Sequence, residues 1–199
     1  MTIKPVIPNG FASQLFPTLV TAFAPSDHRP LRVLDLGPAS AATVAFFSQY
    51  RCTLRFADLN PGELMPPPGD DGEVPDRDAH LRRLLELPLG SKFDICLFWD
   101  YLNHLDDEAV RALARVLRPH LHSASRGHGF AVLNRGNALH HQNYGVMAAD
   151  LLMVTGESRR QPLAHPHSQA GLNGLLGGFE VTRGVLRADG RLEILLRTL

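Results

Sequence analysis

Apolar positions along the chain follow two rhythms, one of strands and one of helices. Leu31, Val33, Leu34 and Leu36 form a compact run that ends at Gly37. Ser40 then stands as an N-cap before AATVAFFSQY, so this stretch predicts strand, turn and helix. Cys52, Leu54 and Phe56 alternate with Thr53 and Arg55, predicting a second strand over 52–58 that stops at an acidic residue. Phe93 to Trp99 is a nearly continuous apolar run, the pattern of a central parallel strand buried on both faces. Residues 106–118 give the plainest helix. Asp106, Asp107 and Glu108 open it, Val110, Leu113 and Leu117 share one face, and Arg111, Arg115 and Arg118 lie opposite, with charges that complement the helix dipole. The same reading gives a short helix over 78–87 stopped by Pro88, a buried strand over 129–133, a helix within 145–154 and a short helix over 168–176. Phe179 to Leu186 and Arg191 to Leu196 alternate and are joined through Ala188, Asp189 and Gly190, where Asp-Gly signals a hairpin.

Strands that alternate with helices build a doubly wound, mostly parallel, Rossmann-like α/β sheet, here closed by a C-terminal antiparallel hairpin. Such a sheet binds ligands beyond the carboxyl ends of its strands, so the chemistry is expected after Leu36, Asp58, Trp99 and Leu133. Residues 31–199 read as one domain. Residues 1–30 read as an extension with a helix over 11–23 interrupted by Pro17. Five prolines, three glycines and five acidic residues between Asn60 and Asp76 predict an insert with few core contacts and fast hydrogen exchange.

Composition narrows the function classes. Twenty Lys and Arg balance twenty Asp and Glu, with a pI near 7.2. That leaves no excess positive charge to bind phosphate backbones by counterion release and argues against a general nucleic-acid partner. No run approaches the ~18 apolar residues that span a bilayer, and the N-terminus MTIKPVIPNG has neither a basic start nor an unbroken apolar stretch. A soluble, cytoplasmic protein with no membrane partner is expected. Cys52 and Cys96 sit in apolar runs and read as buried thiols rather than a disulfide framework. The histidine pairs at 120 and 122, 140 and 141, and 165 and 167 lack an HExxH spacing or accompanying cysteines, so no metal is expected.

A nucleoside cofactor needs a tight turn that lets backbone approach it and, about twenty residues on, a carboxylate for its ribose hydroxyls. Gly37 and Asp58 meet both needs. In order and spacing, the blocks LRVLDLGPASA, RFADL, FDICLFWDYLNHL, DDEAVRALARVLRP with HGFAVLN, and HSQAGLNGLLGGFEVTRGVLRADGRLEILL make the chain from Leu31 to Leu199 resemble a class I S-adenosylmethionine-dependent methyltransferase. The resemblance implies S-adenosylmethionine as cofactor, held by Asp35, Gly37, Pro38, Ala39, Asp58, Leu59, Trp99 and Asp100. Asp35 would order the loop and reach toward the methionine end, and Trp99 could pack on the cofactor cation. His104 is the natural proton acceptor for an oxygen or nitrogen nucleophile, with Tyr101 beside it at the catalytic end. Asn134, Arg135 and Asn137 would face the substrate. An Asn-Pro-Pro-Tyr type of strand exit is absent, which lowers the odds of a base or amide substrate and leaves a small-molecule or protein nucleophile.

The family usually carries further glycines where this chain has Ala39 and Ala41, and it usually has another strand between Asp58 and Phe93. These departures favour an alternative, a methyltransferase-like domain that binds a protein partner without catalysis. A nicotinamide-dependent dehydrogenase fits less well, because the terminal hairpin and the FDICLFWDYLNHL block belong to the methyltransferase pattern.

Overall fold

The computed structural model of the chain describes residues 10–23, 29–67, 75–133, 140–154 and 165–199. In chain order the strands are β1 (Gly10–Ala12), β2 (Leu31–Asp35), β3 (Cys52–Phe56), β4 (Ile95–Trp99), β5 (Arg126–Val132), β6 (Tyr144–Ala148), β7 (Leu151–Val154), β8 (Phe179–Leu186) and β9 (Arg191–Thr198). The α-helices are α1 (Phe16–Thr21), α2 (Ala41–Phe47), α3 (Arg77–Leu85), α4 (Asp107–Leu117) and α5 (Gln169–Leu175).

Six strands form the main sheet in the order β3-β2-β4-β5-β9-β8, with β3, β2, β4 and β5 parallel and β9 and β8 antiparallel. The predicted central pair is in place: Val33 lies opposite Ile95 and Asp35 opposite Leu97, and β4 is buried along its whole length. Continuous apolar runs can be satisfied only with both faces covered, which puts these two strands inside the sheet. The terminal hairpin also forms as its alternation and Asp-Gly turn require. Asp106 caps α4 through a bond from the Ala109 amide, which leaves Val110, Leu113 and Leu117 to bury.

Several elements differ from the sequence reading. Residues 145–154 are not helical: β6 and β7 pair as an antiparallel hairpin, and β7 pairs in turn with β1 to make a second, three-stranded sheet. Met147, Ala148 and Ala149 are good helix formers, and the pairing overrides them. In the N-terminal stretch, Gly10–Ala12 is a strand, and α1 begins at Phe16 with Pro17 in its first turn, where proline costs no hydrogen bond. Among the described residues between Asp58 and Phe93 there is no strand, so β3 stands at the sheet edge and Cys52 is only half-buried, while Cys96 is fully buried. Of the proline-rich insert, residues 68–74 lie outside the described residues; among the described ones Leu64 is buried in the core.

A buried carboxylate ties the N-terminal segment to the sheet. Glu193 on β9 is fully buried and accepts bonds from the Ser13 hydroxyl, the Gln14 amide at 3.1 Å and the Leu15 amide at 3.2 Å, and it pairs with His128 Nε2 on β5 at 2.8 Å. The Ser13 oxygen in turn accepts from the Phe16 amide at 3.0 Å and opens α1. Burial alone would raise the Glu193 pKa, but His128 and the Ser13 and Gln14 donors outweigh it and hold it down at about 2.

A carboxyl whose folded pKa lies below its unfolded value of 4.5 adds stability that is complete above that value and is lost as the pH falls toward about 2. Glu193→Gln should therefore lower stability at pH 7 by about 2–4 kcal/mol. It should also flatten the loss of stability between pH 4.5 and 2, as read by denaturant unfolding. Equal pH slopes for parent and variant would reject this role.

Candidate active site

The carboxyl ends of β2, β3 and β4 meet through their backbones. The Ala57 amide donates to the Asp35 carbonyl at 2.8 Å, the Asp58 amide to Gly37 at 3.2 Å, and the Leu36 amide to Leu97 at 3.1 Å. This lattice brings Asp35, Gly37, Asp58 and Trp99 together, as the sequence pattern predicts for strand exits. Asp35 is buried, and its Oδ1 accepts from the Gly37 amide at 2.8 Å and from the Trp99 indole at 2.6 Å. Its other oxygen, Oδ2, is buried without a partner. Burial raises the Asp35 carboxyl to about 7, against the pull of these two hydrogen bonds.

Two residues here sit in the left-handed backbone region that favours glycine, Asp58 at φ 50° and Trp99 at φ 47°. Such conformations cost of order 1–3 kcal/mol and cluster at functional sites. The ladder between β4 and β5 shifts register at Trp99, and Gly129 makes this fit, because a Cβ there would stand 2.8 Å from the Trp99 carbonyl. The indole is buried, lies against Gly37 and stacks on Tyr144 with ring centres 5.1 Å apart. Asp58 and Ala39 are exposed and Pro38 is half-buried. Leu59 is buried, and its carbonyl accepts from the Tyr101 hydroxyl at 3.0 Å, so Tyr101 acts as a strut across the strand exits. Burial and the nearby carboxylates keep that phenol protonated well above its ordinary range.

The turn after β4, residues 101–104, carries a second cluster. Asp100 is fully buried. Its Oδ1 pairs with His141 Nδ1 at 2.6 Å, and its Oδ2 accepts from the Gln142 amide at 2.9 Å and the Tyr144 hydroxyl at 3.3 Å. Asn103 pins the turn by donating to the Phe130 carbonyl at 2.8 Å and accepting from the Val132 amide at 2.8 Å. His104 stands beside His141, ring centres 5.2 Å apart, and its Nε2 is buried without a partner. Burial lowers its pKa to about 4, helped by His141 and His165 and opposed by Asp100, so the imidazole is neutral across the physiological range.

Sequence reasoning placed Asp35, Gly37, Asp58, Trp99, Asp100 and His104 around one sheet edge, and they are found there. It missed His141 and Tyr144, which lie in a stretch misread as helical or left unassigned. The only available signal was the pair at 140 and 141, whose partner Asp100 is remote in sequence. The other pairs are engaged singly: His120 with Ser91, His122 with Asp94, and His167 with the Leu105 carbonyl. Asn134, Arg135 and Asn137 lie outside the described residues.

Neither a protein-family model nor a curated protein sequence matches the chain. Solved structures do. A Burkholderia thailandensis 1,6-didemethyltoxoflavin-N1-methyltransferase, holding 1,6-didemethyltoxoflavin and S-adenosylhomocysteine, matches at TM-score 0.50 and 17% identity, over 93% of this chain and 77% of that one. The pyocyanin biosynthetic protein PhzM matches at TM-score 0.48 and 16% identity over 92% of this chain, and a Corynebacterium glutamicum TehB-like methyltransferase at 0.46 and 10% over 92%. The chain spans 54% of PhzM, 87% of the TehB-like protein and 54% of a mitomycin 7-O-methyltransferase that it also matches. No helix among the described residues is long and apolar enough to cross a membrane. The six-stranded, mostly parallel sheet with its antiparallel end is the class I S-adenosylmethionine-dependent methyltransferase fold.

Proposed function

We propose that the carboxyl edge of the sheet binds S-adenosylmethionine and that the chain transfers its methyl group to an oxygen or nitrogen nucleophile on a small molecule or a protein. The observation that carries this reading is Asp35, whose Oδ2 is buried and unpartnered beside the turn at Gly37. A carboxylate oxygen shut away from water costs about 1–3 kcal/mol until it meets a donor or a cation, and the cofactor's amino-acid ammonium is both. Asp58 offers an exposed carboxylate at the exit of the neighbouring strand, suited to two ribose hydroxyls. The residues present fit the group.

The cofactor supplies a methyl group already activated on a sulfonium. The chain's work is to hold the nucleophile in line with it and to take a proton. His104 Nε2 is free and unprotonated for that step. A base of such low pKa is weak toward a neutral alcohol. It suffices once the forming bond to carbon puts positive charge on the nucleophile and makes its proton strongly acidic.

One feature favours the noncatalytic alternative. The Trp99 indole occupies the space against Gly37 and engages Asp35 Oδ1, which leaves one carboxylate oxygen for a ligand. With Ala39 and Ala41 in the loop, binding weaker than that of a loop rich in glycine is expected. Titration calorimetry with S-adenosylhomocysteine decides between the readings. Binding by the parent that Asp58→Ala weakens by about 1–3 kcal/mol, roughly five- to a hundredfold, supports the cofactor site. No heat at millimolar ligand, from the parent or from the Ala39→Gly/Ala41→Gly variant, would shift the assignment to a binding domain without cofactor.

Asp35 gives a second test. Its carboxyl keeps a proton to about pH 7 in the fold but only to 3.8 when unfolded, so the folded chain binds more protons between these values and stability falls as the pH rises. Asp35→Asn should be the more stable protein at pH 8, by roughly 1–3 kcal/mol, and should lose that advantage at pH 4 in urea unfolding. In the parent, S-adenosylhomocysteine affinity should rise with pH through about 7, because the ligand ammonium prefers the ionised acid. A pH-independent difference between parent and variant would count against the unpartnered oxygen.

A further inference from the structure

Asp100 and His104 leave β4 in the same turn, and His141 reaches them from the segment before β6. All three are buried, and one ligand atom from each lies within 4.8 Å of the others, the one such group among the described residues. Hydrogen bonding within the cluster leaves one need unmet. His104 is only 8% exposed, and its Nε2 has no partner, a cost of about 1–3 kcal/mol for a polar atom kept from water. Asp100 is fully buried and, among the described residues, its ion-pair partner is His141 rather than a lysine or arginine. A cation between the three groups would give His104 Nε2 the partner it lacks and place positive charge against the buried Asp100.

The surroundings suit metal ligation. An imidazole that gives Nδ1 to a metal carries its proton on Nε2, where an outer partner must accept it. His141 Nδ1 is the nitrogen turned toward Asp100, and the oxygen of Asn143 lies 3.3 Å from its Nε2. Asp100 Oδ2 is oriented by the Gln142 amide and the Tyr144 hydroxyl, which leaves Oδ1 toward His141. Bonds of ~2.0–2.1 Å in a tetrahedron set ligand atoms about 3.3 Å apart, so closure requires only a modest movement of side chains.

We propose that Asp100, His104 and His141 bind a divalent first-row transition-metal cation, zinc being the natural probe, in a two-histidine, one-carboxylate site with further positions open to water or substrate. This goes beyond the methyl-transfer reading and does not require it. A bound ion occupies His104 Nε2, so proton acceptance by that nitrogen belongs to the metal-free chain.

The test uses the full chain, stripped with chelator, dialysed against zinc or cobalt(II) and analysed for metal per chain and for cobalt visible absorption. We expect about one ion per parent chain and cobalt bands of a site with fewer than six ligands. His104→Gln loses a ligand but no hydrogen bond at Nε2, so it should fold, as circular dichroism will read, and bind at least tenfold more weakly, since losing even an outer partner costs roughly 10–100-fold. His141→Gln should also bind more weakly, and a control at a half-buried histidine outside the cluster, His80→Gln, should bind as the parent does. No ion retained by the parent, or equal retention by folded His104→Gln, overturns the proposal. S-adenosylhomocysteine titration of the stripped and loaded parent reads the methyl-transfer assignment separately, so either idea can fail alone.

Discussion

Removing water from a carboxylate is the constraint on which this architecture depends. An unpaired buried charge costs several kcal/mol, and three acids near the carboxyl edge of the sheet meet that cost in different ways. Glu193 gathers Ser13, the Gln14 and Leu15 amides and His128, and stays ionised down to about pH 2. Asp100 gathers His141, the Gln142 amide and Tyr144. Asp35 has two donors for one oxygen and none for the other, and keeps its proton to about pH 7. For Glu193 and Asp100 the donors come from distant parts of the chain. The same bonds that neutralise the acids therefore fasten the start of α1 to β9 and the approach to β6 to the end of β4.

These ties also explain why the small β1-β7-β6 sheet sits where it does. Tyr144 at the start of β6 stacks on both Trp99 and Phe130, and the Val146 amide donates to the Thr43 hydroxyl of α2 at 3.1 Å. Phe11 of β1 packs edge-on to the same Phe130 and Tyr144 rings. Aromatic packing thus joins the second sheet to the edge at which the acids meet.

The main sheet was legible because burial on two faces leaves a sequence little freedom. Leu31–Leu36 and Phe93–Trp99 could hardly be anything but inner strands. Asp35 and Asp58 were legible as candidates because a strand exit fixes where its last residue stands. Their states were not. The unpartnered oxygen of Asp35 depends on where the Trp99 indole turns, and that follows from a left-handed backbone and a register shift with no counterpart in hydrophobic patterning. His141 was illegible for a similar reason, since its meaning lies in contact with Asp100. The strands of 144–154 were hidden by local helix propensity, which long-range pairing overrode. Leu64 shows the limit of reading composition alone, because its own side chain reaches the core from a stretch rich in proline.

Trp99 is the sole tryptophan of the chain. It bonds Asp35 through its indole nitrogen, lies on Tyr144 and has the His128 ring 6.1 Å away. Indole emission shifts with the charge and polarity around the ring. The molecule therefore carries one intrinsic fluorophore, placed where strand exits, acids and aromatic rings converge. Its colour and lifetime report the ionisation of Asp35 and any rearrangement of that edge without an added label.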